Sequence, residues 1–114
     1  MKLTEQTAKP ITKGTAPLSQ TEAEELALDI PLWSIGIRAI ERAFHFKYFR
    51  EAMEFVSQVA LLANEQDHHP DIFISYNKVQ LTLSTHKIGG LSLNDFIVAA
   101  KIDQVAAARI GKAA

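Results

Sequence analysis

From residue 19 onward the apolar positions alternate between helical and strand-like periods, and their order predicts the fold. Ala23, Leu26, Ala27 and Ile30 recur at i, i+3, i+4 and i+7, the stripe of a short amphipathic helix. Ser19 and Glu22 have capping-box spacing at its start. Pro31 ends it, because proline disfavours helical backbone at the residue before it. From Leu32 to Phe46 the period shortens to two: Ile40, Arg42, Phe44 and Phe46 alternate with Glu41, Ala43 and His45. Gly36 interrupts this stretch, predicting two strands joined by a turn near Gly36–Ala39. Residues 47–64 return to a helical stripe of Phe49, Met53, Val56, Ala60 and Ala63, widened by Ala52 and Val59. Asn64–Pro70 is polar and proline-ended, hence a loop. Ile72–Tyr76 and Val79–Thr85 read as strands of a hairpin turning at Asn77-Lys78. Gly89-Gly90 breaks the chain. Ser92 with Asp95 then caps a last helix rich in apolar residues: Leu93, Phe96, Ile97, Ala100 and Val105.

The order α-β-β-α-β-β-α, with hairpin pairs flanking a long helix, predicts an α+β fold. It should be a four-stranded antiparallel sheet with three helices packed on one face. Residues 1–18 carry only isolated Leu3, Ile11 and Leu18 among Thr, Lys, Pro and Gly. No periodic face forms there, which predicts a flexible N-terminal arm ahead of a single domain at 19–114. The apolar last helix and the opposite sheet face both need cover, and a homodimer or homotetramer would supply it.

Composition narrows the function classes. A chain of 114 residues that is 47% hydrophobic can bury one core, which excludes global disorder. Twelve basic against 13 acidic residues leave a net charge of −1, too little field for non-specific nucleic-acid binding. Cysteine is absent, and with it disulfides, thiolate metal sites and cysteine nucleophiles. No apolar run approaches the ~20 residues of a membrane span. The opening residues lack the apolar segment of a signal peptide, so the expected compartment is the cytoplasm.

The histidines carry the remaining information. His68 and His69 sit side by side in the loop, and Pro70 favours extended backbone at His69. Neighbours in extended chain point opposite ways, which disfavours one metal shared by both rings. If Ile72–Tyr76 pairs with Val79–Leu83, the Asp71 end meets the Ser84–His86 end, and His86 returns beside His69-Pro70. Three readings follow. The rings are solvated loop residues; or they bind metal, for which no H-x-x-x-H or related zinc spacing exists; or they work as an acid–base set, with Asp67 orienting or charging a ring. His45 falls on the solvent side of its strand, and Trp33 reads as core or pocket wall. Gly89-Gly90 reads as a turn more than a phosphate cradle. No G-x-S-x-G or P-loop pattern occurs.

The run E-Q-D-H-H-P-D-I-F-I-S-Y-N-K-V-Q-L-T-L-S-T-H-K-I-G-G-L-S-L-N-D, residues 65–95, closely resembles the pterin-4a-carbinolamine dehydratase family (4a-hydroxytetrahydrobiopterin dehydratase). F-H-F-K-Y-F-R-E-A-M-E-F-V-S-Q-V-A, residues 44–60, resembles the same family's strand-to-helix passage, and the similarity covers roughly residues 19–106. The resemblance implies helices on a four-stranded antiparallel sheet, assembled as dimers or tetramers. It implies a hydro-lyase that removes water from 4a-hydroxytetrahydropterin, in recycling the cofactor of aromatic amino-acid hydroxylases, with neither metal nor organic cofactor. His68, His69 and His86 become the catalytic histidines, His68 and His86 moving protons and His69 chiefly binding. Pro70, Thr85, Lys87 and Ile88 join them around the pterin, with Asp67 and Asp95 as supporting carboxylates. Two positions depart from the family pattern. Asn64 stands where many members have a carboxylate, and Ile72 where many have tryptophan. Some relatives also act as dimerisation cofactors of a transcription factor, and others are linked to molybdopterin metabolism. Those remain the alternative functions.

Overall fold

The computed structural model describes residues 2–113, with side chains described for 2–109. Ser19 caps the first helix as its spacing predicts: its Oγ accepts from Glu22 N at 3.1 Å, and Glu22 Oε1 accepts from Ser19 N at 2.9 Å. These bonds draw the Glu22 carboxyl below the usual carboxylate range. Helix α1 spans Gln20–Ala27. Strands β1 (Ser34–Ile35) and β2 (Ile40–His45) follow, then helix α2 (Phe49–Gln66). The hairpin is β3 (Asp71–Ser75) and β4 (Lys78–Leu83), and helix α3 runs from Leu93 to Ala113. This is the predicted α+β order. The strands form one antiparallel sheet in the order β1-β2-β4-β3.

Alternation decides which sheet face is covered. Ile40 and Phe44 of β2 and Val79, Leu81 and Leu83 of β4 are buried beneath Ala52, Phe55 and Val59 of α2. The Phe55 ring packs at a tilt against Phe44 and Phe46, with centroids 4.7 Å and 5.2 Å away. His45 lies on the exposed face, and Trp33 belongs to the core. The turn near Gly36 closes through Gly36 N donating to Ala39 O at 2.8 Å. The hairpin differs from its predicted register by two residues. Ser75 pairs with Lys78, so the turn is Tyr76-Asn77, with Tyr76 at φ +51°. A two-residue shift leaves every side chain on the same face, so alternation cannot detect it. Asn77 selects the register by binding the end of β2: its Nδ2 donates to Phe46 O at 2.7 Å and its carbonyl accepts from Phe46 N at 2.9 Å.

The first residues do not form the free arm that their composition suggests. Leu3, in a short 3-10 turn at Leu3–Glu5, is 4% exposed and sits in the core beside α3. Lys101 Nζ donates to Thr4 O at 3.0 Å, and Leu18 N donates to Leu91 O at 2.8 Å. One isolated leucine suffices as an anchor where a pit in the core receives it. The same contact revises the oligomer argument drawn from α3. Phe96, Ile97 and Ala100 are buried by residues of their own chain.

A polar tie fastens α3 to the sheet. Asp103 Oδ1 accepts from Trp33 Nε1 at 2.8 Å and pairs with Arg42 Nη1 at 2.6 Å. The Arg42 guanidinium also covers the Phe44 ring at 4.3 Å. Asp103→Ala leaves the indole N–H and the guanidinium without that acceptor, and should destabilise the fold by about 2 kcal/mol in urea unfolding. Burial pushes the Asp103 carboxyl above its ordinary range, and the bonds from Trp33 and Arg42 offset this only in part. Its contribution to stability is therefore full below the ordinary aspartate range and lost as pH rises through the raised value. Relative to Asp103→Asn, which cannot ionise, wild type should therefore lose stability as pH rises from the ordinary aspartate range towards neutral, read by urea unfolding of both proteins across that range.

Among the described residues, no helix is long and apolar enough to cross a membrane.

Candidate active site

Three chain segments meet at the edge of the sheet beside the start of α3. The first is the end of α2. Asp67 adopts left-handed backbone (φ 49°, ψ 41°), which an aspartate tolerates better than most residues. Its N–H and that of His68 turn back to the Asn64 and Ala63 carbonyls, as in other left-handed helix ends. The reversal aims His68 inward. The second segment is the corner after β4. Thr85 N donates to Gly90 O at 2.9 Å, closing a loop that contains a 3-10 turn at His86–Ile88. Gly89 takes φ +67° there. The third segment is N-terminal: Pro17 packs so closely on Gly90 that a Cβ at that glycine would lie 2.8 Å from Pro17 Cβ.

A cavity of about 370 Å³ lies between these segments. His68, His69 and Asp67 line it from the end of α2, and Thr85, His86 and Lys87 from the corner after β4. The three histidines that the hairpin geometry brings near one another thus share one cavity. Pro70 and Ile88, expected around the ligand, stand outside its lining. Ser84, Gln66, Asn94 and the segment Ala8–Ile11 line it without any sequence signal having marked them.

His68 is the most constrained ring. Its side chain is 11% exposed, and its Nε2 lies 2.6 Å from Oδ1 of Asp95, which is completely buried. The other oxygen of Asp95 accepts from Thr85 Oγ1 at 2.8 Å and from Ser92 N at 2.9 Å. Thr85 has one hydroxyl proton and gives it to Asp95. Ser92 Oγ, 2.7 Å away, must therefore donate to Thr85. Both Asp95 oxygens, the Thr85 and Ser92 hydroxyls and His68 Nε2 are paired, the condition under which such a network stiffens a site. A carboxylate accepts from Nε2, so that nitrogen carries the proton and Nδ1 is left unoccupied by Asp95. The carboxylate that meets His68 is hence Asp95. Asp67, the sequence candidate for this role, is exposed and serves as the helix terminus.

His69 is more open, and its Nε2 lies 3.0 Å from Asn64 Oδ1. The Asn64 amide offers this ring an acceptor. His86 is exposed at the corner. Among the described residues, no group of three or more His, Cys, Asp or Glu side chains is arranged to hold a metal ion.

Comparison with known proteins adds an independent line. The family model described as pterin 4 alpha carbinolamine dehydratase matches residues 16–105. A protein of Halorhodospira halophila, provisionally named a pterin-4-alpha-carbinolamine dehydratase, is 42% identical over 109 residues, 94% of this chain and 100% of that protein. One from Nitrosospira multiformis with the same provisional name is 46% identical over 95 residues, 83% of this chain and 84% of its own. Among solved structures, the transcriptional coactivator/pterin dehydratase of Brucella melitensis aligns with a TM-score of 0.74 at 38% identity. That alignment covers 79% of this chain and 98% of that one. A pterin dehydratase-like protein described as a RuBisCO assembly factor of the alpha-carboxysome shares the fold, with a TM-score of 0.55 at 23% identity over 65% of this chain and 86% of that one.

Proposed function

The chain belongs to the pterin 4 alpha carbinolamine dehydratase family, and from that premise we propose that it is a cytoplasmic 4a-hydroxytetrahydrobiopterin dehydratase working by histidine acid–base catalysis. The observation that carries the reading is the shared cavity of His68, His69 and His86, with His68 held by the buried Asp95. In the reaction the C4a–O bond breaks and the hydroxyl leaves as water after gaining a proton. The N5–H proton is lost, and its bonding electrons form the N5=C4a double bond of the quinonoid dihydropterin. One base and one acid are needed at adjacent ring atoms. In this proposal His68 takes the N5 proton on Nδ1, because Asp95 keeps the ring proton on Nε2. His86 delivers a proton to the departing oxygen, and His69 binds. The proton count balances, so exchange between the rings or with water restores the starting state.

The physiological setting in this proposal is the one that the family resemblance implies. The 4a-hydroxy adduct arises when aromatic amino-acid hydroxylases spend tetrahydropterin on oxygen activation, and its dehydration returns the pterin to recycling. The test is direct: purified protein should accelerate decay of the adduct generated by a turning-over hydroxylase. Decay no faster than the spontaneous reaction would refute the enzyme reading.

A second, protein-binding reading rests on the β3 edge. Ile72 and Phe73 on this strand, which has one unpaired side, and Tyr76 in the turn after it are 38%, 62% and 66% exposed. Such an edge suits pairing with a second copy or another protein. A homo-oligomer is compatible with catalysis, and failure of the adduct assay would leave partner binding as the main role.

A further inference from the structure

The segment that the sequence gives no reason to place is the one that completes the cavity. Ala8 N donates to Gln66 Oε1 at 2.8 Å. Lys9 is held at two points by Asn94, whose Oδ1 accepts from Lys9 N at 3.0 Å and whose Nδ2 donates to Lys9 O at 2.6 Å. Asn94 is itself 7% exposed, so this is a built contact and not a surface encounter. Gln66 stands two residues before His68, and Asn94 immediately before Asp95. The two helix ends that fix the His68–Asp95 pair therefore also fix this strap. On one side the strap is anchored by Leu3 in the core, and on the other by the Leu18–Leu91 hydrogen bond.

Resting on the dehydratase reading above, we infer that Ala8–Ile11 is the third wall of the pterin site, and that Asn94 and Gln66 are positioning residues that hold it against the ligand. Of the four residues only Lys9 has a titratable side chain, and both of its bonds to Asn94 run through its backbone, so the wall's main contribution is burial. Its removal therefore weakens binding more than it slows the chemistry. The strap also gives the first residues a reason to be ordered: a wall supplied by a loop is held only as firmly as its tethers, and here the Asn94 latch lies midway between two independent anchors.

The experiment compares wild type with Asn94→Leu and Gln66→Ala. Asn94→Leu keeps the side-chain size and removes both Lys9 bonds, while Gln66→Ala breaks only the Ala8 tether and covers the case in which Asn94→Leu does not fold. Binding of 7,8-dihydrobiopterin, which cannot be dehydrated, is measured by calorimetry. Hydrogen exchange at the Ala8 and Lys9 amides is followed with and without it. In wild type the ligand should slow exchange at both amides. Asn94→Leu should exchange faster there, bind roughly tenfold more weakly as expected for two lost hydrogen bonds, and show the loss in KM more than in kcat. Gln66→Ala should do the same to a smaller degree. Freed amides with an unchanged Kd in a variant that melts like wild type would overturn the strap as a wall. Wild-type protein that binds no pterin would overturn it together with the dehydratase reading, so the two failures are told apart by the wild type alone.

Discussion

His68→Ala should reduce the dehydration rate by about 10²- to 10⁴-fold, the usual worth of a positioned acid–base group. His68 combines a cavity-facing position with a fixed partner. Asp95 holds its Nε2 at 2.6 Å, and only a ring so held presents Nδ1 in one orientation. His86→Ala should cost a similar factor if it delivers the second proton. His69→Ala should fall mainly on KM, since that ring is open to solvent, with Asn64 Oδ1 at 3.0 Å as its partner among the described residues. Steady-state decay of the 4a-hydroxy adduct separates these cases, with thermal melting as the control for folding. A His68→Ala protein that retains the wild-type rate would remove His68 from the mechanism, whatever its geometry.

The parts of this site that were legible in the sequence are those set by local rules. The loop position of His68-His69-Pro70 and the return of His86 follow from a hairpin between two alternating segments, and the sheet forms that hairpin. Alternation could not choose between turns at Tyr76-Asn77 and Asn77-Lys78, because both put Val79, Leu81 and Leu83 on the buried face. The choice lay in a hydrogen bond from Asn77 to Phe46, 31 residues away. The strap was illegible for the same reason in stronger form. Lys9 and Asn94 lie 85 residues apart, and neither residue type announces such a contact. Leu3 contributes one buried side chain with no periodicity around it.

Asp95 is an intermediate case. Its spacing from Ser92 marks it as a helix-start residue, and its carboxylate does accept from Ser92 N. Its second engagement, with His68, comes from a residue 27 positions earlier. One buried carboxylate thus starts α3, pins the corner at Thr85 and orients the ring. Folding and the proposed chemistry share that atom pair. Asn64, expected from the resemblance to stand in a carboxylate's place, keeps an oxygen facing His69.

Asp95→Asn should separate those two duties. The amide has nearly the shape of the carboxylate but only one accepting oxygen. Thr85 Oγ1 and Ser92 N both donate to Oδ2, so the amide oxygen belongs there and the NH₂ faces His68 Nε2. The opposite orientation would set the NH₂ against the Ser92 N–H, two donors with no acceptor between them. In the favoured orientation Nε2 must accept, the ring proton moves to Nδ1, and the nitrogen proposed to take the N5 proton becomes a donor. Activity should fall by about 10²- to 10⁴-fold with the fold retained, as expected when a base is held in the wrong tautomer. Asp95→Ala should instead strand the Thr85 hydroxyl, the Ser92 N–H and the His68 ring in a buried site. It should destabilise the protein by about 3–5 kcal/mol. Nitrogen NMR of the His68 imidazole reads the tautomer directly. An Asp95→Asn protein with its proton moved to Nδ1 and its rate intact would exclude His68 Nδ1 as the base, and leave His86 or His69 to take the N5 proton.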